Sequence, residues 1–195
     1  DTLVMFDSQM QIIPALAESW ETSEDGLTWT FKIRQGVTFH DGSALKASDV
    51  AFSLNRIKDP AIASPRSGDF EVVEGVTAPD DATVVITLSK PFSPLLSKLA
   101  QSLNVIVSEA VAGANNNDLN NVVVGTGPFT FVEYVPQTKL ELAKNPTYWC
   151  TDADGNQLPY LDGILFQFYP EPTARTTAIQ TGNADWNEYV PAADV

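Results

Sequence analysis

Residues 14–52 read PALAESWETSEDGLTWTFKIRQGVTFHDGSALKASDVAF, and this stretch decides the fold more than any other part of the chain. From residue 27 to residue 33, apolar residues alternate with polar ones, which predicts a strand with one buried face. Asp25-Gly26 predicts the turn before it, and the apolar alternation at 37–39 predicts a second short strand. Ser48 then opens a helical pattern. The predicted order is strand, turn, strand, turn, helix.

The same periodicities predict further elements on both sides of an asparagine-rich loop at residues 115–121. Before the loop we expect a helix at 94–101 and strands at 3–6, 71–77, 83–88 and 103–107. After the loop we expect a helix at 173–180 and strands at 130–135, 139–143, 164–168 and 184–189. The sequence therefore predicts a mixed α/β chain with short helices and mixed or antiparallel sheets.

The composition is that of an acidic globular protein with one domain or two small ones. The 195 residues are 44% hydrophobic and carry a net charge of −14, with a pI near 4.2. This charge argues against binding to nucleic acid or to an anionic membrane surface. The surplus of Asp and Glu also serves to solvate the surface, so the charge alone identifies no partner.

Cys150 is the only cysteine, so the chain has no internal disulfide, and we expect a buried structural thiol. No apolar run reaches the length of a membrane span, and no signal peptide precedes the first predicted strand. The sequence starts with Asp1 rather than methionine. We expect it to be a piece of a longer protein.

Three sequence features suggest a phosphate loop, a calcium loop or a histidine site, but each lacks residues that such a site needs. GTGPF at 125–129 lacks the Lys-Ser/Thr of a phosphate loop and the spacing of a dinucleotide site, which favours a tight backbone turn. TDADGN at 151–156 has the first ligands of a calcium loop, but Gln157 and Gly163 stand where the loop glycine and the bidentate glutamate belong. His40 is the only histidine, which excludes a histidine metal cluster. We predict no metal, no cofactor and a structural role for His40.

The sequence also lacks a recognisable set of catalytic residues. There is no GxSxG elbow, and a Cys–His pair would have to join Cys150 to His40 across separate predicted units. Carboxylates are abundant, so an enzyme that uses two of them about 5 to 10 Å apart in a pocket stays open as an alternative. The main prediction is a protein without catalytic residues.

A series of longer stretches carries a family resemblance. In chain order they are LAESW at 16–20, DGLTWTFKIRQGVTFHDG at 25–42, ASDVAFS at 47–53, GTGPF at 125–129, NPTYW at 145–149, LPYLDGI at 158–164 and RTTAIQTGNADW at 175–186. Together they resemble family 5 extracellular solute-binding proteins, the receptor subunits of ABC importers for peptides and nickel. The sequence departs from the family pattern at Ala44 and Lys46, where the family has proline and a capping threonine. We therefore expect Ser48 to cap the helix instead.

The resemblance implies a partial type II periplasmic-binding-protein fold. Residues 1–124 correspond to the extra subdomain of the first lobe, and residues 125–195 correspond to part of that lobe's core. The second lobe and an N-terminal strand are absent from the resemblance. The missing strand is expected to leave an exposed sheet edge through which the isolated chain self-associates.

The resemblance also implies capture of a solute, with a peptide favoured over a nickel chelate, an opine or an oligosaccharide. The protein is then periplasmic or extracellular, free or tethered by a lipid, and delivers its solute to the membrane subunits of an ABC permease. The candidate ligand-binding residues are Arg66, Ser67, Asp69 and Phe70, in a loop that is otherwise read as an exposed connection. An acidic protein–protein interaction module without a ligand cleft is the second hypothesis.

Overall fold

The structure is a computed structural model that describes residues 1–119 and 122–187. The first unit, residues 1–119, contains β1 (Val4–Phe6), β2 (Ile12–Pro14), β3 (Ala17–Thr22), β4 (Thr28–Ile33), α1 (Ala47–Lys58), a 3-10 helix (Ser67–Phe70), β5 (Val73–Asp80), β6 (Thr83–Leu88), α2 (Leu95–Leu99) and α3 (Glu109–Ala114). The second unit, residues 125–187, contains β7 (Phe129–Val135), β8 (Lys139–Lys144), β9 (Gly163–Gln167) and α4 (Pro172–Gln180).

Four strands of the first unit form an antiparallel sheet in the order β3-β4-β6-β5. In β4, Trp29 pairs with Thr22 of β3 and with Ile86 of β6. Phe31 and Ile33 lie on the same face of β4 and are 0% and 2% exposed, because alternate residues of a strand point to one face. The alternation that predicts this strand therefore also predicts its buried face.

Helix α1 packs on β5 and β6, and a carboxylate holds its N-terminus. The helix begins at Ala47 with Lys46 as the N-cap, so the expectation that Ser48 caps it is wrong. Asp49, which is 7% exposed, accepts hydrogen bonds from the backbone N–H groups of Lys46 and Glu109, both at 2.9 Å. A negative charge in the first turn suits the positive end of the helix dipole. The same side chain ties α1 to the start of α3.

The second unit is a three-stranded antiparallel sheet in the order β7-β8-β9, followed by α4. The predicted turn at Pro136-Gln137 joins β7 to β8, with Gln137 at a φ of 58°. No strand of this sheet is shared with the four-stranded sheet of the first unit. Among the described helices, none has the length and apolar character needed to cross a membrane.

The predicted fold class is confirmed, since the described chain is mixed α/β with antiparallel sheets and short helices. One predicted strand of the opening stretch is wrong. Residues 37–39 form an isolated bridge, in which Thr38 faces Ala44, rather than a strand. Val37 and Phe39 are nevertheless buried, at 1% exposure each, so the apolar alternation reflects packing without sheet pairing.

The strand predicted at residues 103–107 is also wrong. This segment is irregular, with Asn104 and Ile106 at 1% exposure and Leu103 and Val105 at 66% and 44%. The backbone N–H of Ile106 donates to the carbonyl of Asp1 rather than to a neighbouring strand.

The strand predicted at residues 184–189 lies only partly within the described part of the chain. Residues 184–187 are irregular in the structure, and residues 188–189 lie outside the described part of the chain.

We predict that Leu54→Ala lowers the free energy of unfolding by about 2 to 5 kcal/mol, because it leaves a cavity in the core. Leu54 on α1 is 1% exposed. The matched control is Leu103→Ala, whose side chain is 66% exposed and which should change stability by less than about 0.5 kcal/mol. Urea unfolding followed by circular dichroism measures both, and equal losses would contradict this assignment of the core.

Candidate functional site

His40 holds residues 125–128, which begin the second unit. Its backbone N–H donates to the carbonyl of Gly125 at 2.8 Å, and its Nδ1 accepts from the N–H of Gly125 at 3.3 Å. Its Nε2 lies 3.0 Å from the carbonyl of Gly127. Because Nδ1 accepts a hydrogen bond, the neutral ring carries its proton on Nε2, which donates to that carbonyl. The predicted structural role of His40 is thus a clamp on the GTG segment.

A second set of contacts holds the same segment from both units. Thr126 is fully buried, and its hydroxyl donates to Asp1 Oδ2 at 3.0 Å. Trp149 Nε1 donates to the same carboxylate oxygen at 2.9 Å. The Arg34 guanidinium lies 4.6 Å from the centre of the Trp149 ring, in a cation–π contact. These contacts and the His40 clamp form what we call the junction.

Asn145, the first residue of NPTYW, completes the junction from the second unit. It is 2% exposed, and its Nδ2 donates to the Gly127 carbonyl at 2.9 Å. Its Oδ1 accepts from the backbone N–H of Thr147 at 3.0 Å. The carbonyl of Gly127 therefore accepts from both His40 and Asn145, which fixes the path of the chain between the units.

The candidate loop residues are divided between core and surface. Phe70 is 1% exposed and belongs to the hydrophobic core of the first unit. Ser67 is exposed, whereas Arg66 and Asp69 are partly buried. The structure thus brings Arg66 and Asp69 together, leaves Ser67 on the surface and uses Phe70 as the anchor of the 3-10 helix.

The polar residues of the candidate loop form a network with α2. Asp69 Oδ1 accepts from Lys98 Nζ at 2.7 Å, and Asp69 Oδ2 lies 3.4 Å from Arg66 Nη1. Arg66 also donates to Gln101 Oε1. The hydrogen bond from Lys98, together with the two positive charges, lowers the pKa of Asp69 below its ordinary value. This network, which we call the loop cluster, carries two cations around one carboxylate and so has a net positive charge in an acidic protein.

Lys98 and Gln101 were not among the residues predicted from the sequence. One signal was available, because Lys98 is the only Lys or Arg between Lys90 and Lys139. Lys98 pairs with Asp69, which is 29 residues away in the chain. This pairing depends on how α2 packs beside the 3-10 helix, so no local sequence pattern predicts it.

Two open depressions lie on the described part of the chain. An open depression of about 480 Å³ runs along α4, and another of about 380 Å³ lies beside β1 and the segment after α2. Residues 64–70 line neither depression. The loop cluster therefore contributes to neither depression.

The TDADGN stretch forms a turn organised by one carboxylate. Asp152 Oδ1 accepts from the backbone N–H groups of Asp154 and Asn156, and its Oδ2 accepts from Tyr160 Oη at 2.5 Å. The Tyr160 hydrogen bond is the largest cause that lowers the pKa of Asp152 to about 2. In the described residues, no group of three or more His, Cys, Asp or Glu side chains is placed to hold a metal ion.

Glu133 and Glu141, two carboxylates of the second unit that share one lysine, do not form an acid–base pair. Glu133 and Glu141 both contact Lys139 Nζ, at 2.7 and 3.0 Å, on an exposed face of the sheet. Their hydrogen bonds raise the pKa of Lys139. A glycosidase-type pair needs one carboxylic acid kept protonated in a pocket, whereas these two carboxylates lie on an exposed face beside one ammonium group. Cys150 is a free, half-buried thiol.

With this geometry in place, comparison with known proteins identifies the family. Residues 11–195 match the family described as bacterial extracellular solute-binding proteins, family 5, middle. The chain belongs to this family. Its members bind solutes without transforming them, so the prediction that this family 5 chain is not an enzyme is confirmed.

Individual relatives cover the family 5 chain almost completely. The glutathione-binding protein GsiB of Pectobacterium atrosepticum is 36% identical over 186 residues, which cover 95% of this chain and 35% of GsiB. The structure of AgaA from A. tumefaciens R10, in complex with agropinic acid, matches with a TM-score of 0.91 and 34% identity, over 99% of this chain and 38% of AgaA.

The ABC transporter-associated periplasmic binding protein DppA from Helicobacter pylori, in complex with the peptide STSA, matches with a TM-score of 0.81 and 35% identity. That match covers 94% of this chain and 39% of DppA. These likenesses confirm the predicted periplasmic-binding-protein fold. The chain spans a little over a third of the length of these relatives.

We predict that His40→Ala destabilises the protein by about 1 to 3 kcal/mol, because it removes the side-chain hydrogen bonds to Gly125 and Gly127 and leaves the part-buried N–H of Gly125 unpaired. Amide hydrogen exchange at Gly125 should become faster. The control is Ser67→Ala, an exposed residue outside the junction that should leave both quantities unchanged. Unaltered exchange at Gly125 in His40→Ala would contradict the clamp.

We also predict that Tyr160→Phe raises the pKa of Asp152 from about 2 toward its ordinary value of 3.8, because it removes the largest stabilising hydrogen bond. A carboxyl with a lowered folded-state pKa contributes stability above its unfolded pKa and loses it as the pH falls through the folded value. The contribution of Asp152 should therefore disappear between about pH 4 and pH 2 in the original protein. Carbon-13 NMR titration measures the shift, with Tyr134→Phe as the control.

Proposed function

We propose that this chain is part of the solute-binding component of an ABC importer, which captures a peptide outside the cytoplasmic membrane and delivers it to the membrane-embedded permease. The observation that carries the proposal is the match of residues 11–195 to the family 5 solute-binding proteins. The ABC transporter association of the DppA relative supports the permease as partner. The family is extracellular by description, which supports a periplasmic or extracellular location.

A peptide is the solute that the relatives favour. GsiB is a glutathione-binding protein and DppA holds the peptide STSA, and both are at least as similar in sequence as AgaA, which holds agropinic acid. Glutathione is itself a tripeptide, so two of these three relatives bind peptide backbones. The proposed ligand class is therefore short peptides.

We place a subdomain boundary between residues 124 and 125. Two sheets without a shared strand lie on either side of it, and the junction connects them. Residues 1–124 then form the extra subdomain of the first lobe, and residues 125–195 form part of the lobe core. The second lobe lies outside the chain, in keeping with the third of each relative's length that the chain spans. Such receptors close two lobes around the ligand.

The ligand-facing residues of this part are assigned to the loop that contains Arg66, Ser67, Asp69 and Phe70. Phe70 anchors the 3-10 helix in the core, while Lys98 holds Asp69 in place from α2. A rigidly supported loop is a common position for binding residues. The positive charge of the loop cluster suits the carboxylate end of a peptide.

Calorimetry on the longer receptor that contains this chain tests the proposal, with the 195-residue chain measured beside it. We expect the receptor to bind glutathione or dipeptides, and the isolated chain to bind them weakly or not at all because half of the cleft is missing. Agropinic acid serves as the opine comparison. No binding of any peptide by the receptor would contradict the proposed ligand class, and submicromolar binding by the isolated chain would contradict the proposed cleft.

In the same receptor, Arg66→Ala is expected to weaken peptide binding at least tenfold, about 1.4 kcal/mol. Asp69→Asn should act in the same direction, because it releases Lys98 and Arg66 from their positions. The matched control is Arg56→Ala, which removes an arginine that donates to the carbonyl of Asn117, away from the loop. If all three variants bind peptide with the affinity of the original receptor, the loop cluster is not part of the binding surface.

A further inference from the structure

One polar side chain of the first unit is buried where its two apolar neighbours are exposed. Asn104 is 1% exposed, whereas Leu103 and Val105, on either side of it, are 66% and 44% exposed. Burying an amide lowers stability unless its polar atoms find hydrogen-bond partners. A position that breaks a local rule in this way is expected at a functional or strained site. Hydrophobicity therefore does not explain the burial of Asn104.

Asn104 binds the C-terminal end of α2. Its Nδ2 donates to the carbonyl of Lys98 at 2.7 Å, and its backbone N–H donates to the carbonyl of Gln101 at 2.9 Å. The last carbonyls of a helix have no partner within the helix, and Lys98 lies in the last turn of α2. Asn104 thus fixes the helix end at one residue inside the helix and at one residue just after it.

The two residues that Asn104 holds are the same two that reach across to the loop at 66–69. Lys98 Nζ donates to Asp69 Oδ1 at 2.7 Å, and Gln101 Oε1 accepts from Arg66. Helix α2 has only five residues, and a helix of that length is not stable without tertiary contacts. The positions of Lys98 and Gln101 therefore depend on the contacts that fix this helix end, and Asn104 makes two of them.

Asn104 is not the residue that gives the highest stability at its position. Its Oδ1 is buried and has no hydrogen-bond partner among the described residues. An unpaired buried acceptor lowers the stability of a fold. An apolar side chain of similar size would avoid that loss, and the carbonyl of Lys98 would still accept from the N–H of Gln101 at 3.2 Å. The asparagine therefore fixes geometry at some loss of stability.

We propose that Asn104 is a positioning residue for peptide binding, which fixes the end of α2 and thereby holds Lys98 and Gln101 against Asp69 and Arg66. This inference rests on the proposed function of the loop cluster as a ligand-facing surface. Asn104 is buried and does not itself touch the ligand. Without its amide, the end of α2 adopts more than one arrangement, and peptide binding must then order the cluster at a loss of affinity.

The pKa of Asp69 reports whether Asn104 positions Lys98, because the hydrogen bond from Lys98 is the largest cause that lowers this pKa. In the longer receptor that contains this chain, Asn104→Leu should raise the pKa of Asp69 toward its ordinary value of 3.8. Carbon-13 NMR titration of the receptor labelled at aspartate measures this shift. The same pKa in Asn104→Leu and in the original receptor would overturn the proposal.

Asn115→Leu is the matched control. Asn115 Nδ2 donates to the carbonyl of Val111 at 2.8 Å, at the end of α3. This is the same kind of hydrogen bond, made at a helix that carries no member of the loop cluster. The control should leave both the pKa of Asp69 and the peptide affinity unchanged. Equal changes in Asn104→Leu and Asn115→Leu would overturn a specific role for Asn104.

Calorimetry of the receptor with glutathione and with alanyl-alanine, together with its Tm, separates positioning from stability. Asn104→Leu should weaken binding at least fivefold at a Tm equal to or above that of the original receptor, because it also removes the unpaired acceptor. Unchanged affinity, or a loss of affinity accompanied by a lower Tm, would overturn the positioning role.

Two further variants distinguish this inference from the proposed function. If Asn104 acts through the loop cluster, Asn104→Leu should cause no further loss of affinity in a receptor that already carries Asp69→Asn, and additive losses would overturn the inference. Arg66→Ala tests the loop itself. Weaker binding in Arg66→Ala but not in Asn104→Leu would overturn only the inference, whereas the original affinity in both variants would overturn the ligand-facing loop as well.

Discussion

The hydrogen bonds of His40 to the GTG segment hold the two units in one arrangement. The ring accepts a hydrogen bond from the N–H of Gly125 and donates one to the carbonyl of Gly127, so both of its nitrogens are used within the segment 125–128. Each such bond contributes roughly 1 kcal/mol, and more is lost when a buried partner is left alone. Further hydrogen bonds support the same segment: Asn145 donates to the carbonyl of Gly127, and Thr126 and Trp149 both donate to the carboxylate of Asp1. The orientation of the second sheet relative to the first is therefore set by hydrogen bonds to the backbone groups of Gly125 and Gly127.

The two units reach stability in different ways. The first unit packs a helix onto a four-stranded sheet and buries a continuous core that contains Phe31, Leu54 and Phe70. The second unit has one polar and one apolar face on its sheet, and the apolar face remains exposed. Apolar surface that stays exposed to water contributes no burial to stability. The junction therefore matters more for the second unit than for the first.

Local patterns predicted much of the fold, and tertiary contacts account for the failures. The alternation from residue 27 to 33 is long enough to determine β4, whereas two apolar residues at 37 and 39 were too few to distinguish a strand from buried loop residues. At 103–107 burial does not follow hydrophobicity, since Leu103 and Val105 are exposed while polar Asn104 is buried. Asn104 donates to the carbonyl of Lys98, and the N–H of Ile106 donates to the carbonyl of Asp1. The loop containing Arg66 and Asp69 was predicted, but its partner Lys98 depends on packing between distant segments.

The junction joins residues that are far apart in the chain, and this has a consequence for the order of folding. His40 and Gly127 are separated by 87 residues, and Asp1 and Trp149 by 148. Contacts between distant residues form late because a long loop must close first. During synthesis the sheet of the first unit leaves the ribosome before the GTG segment. We therefore expect nascent chains to pass through a state in which the first unit is folded while the imidazole of His40 is still unpaired.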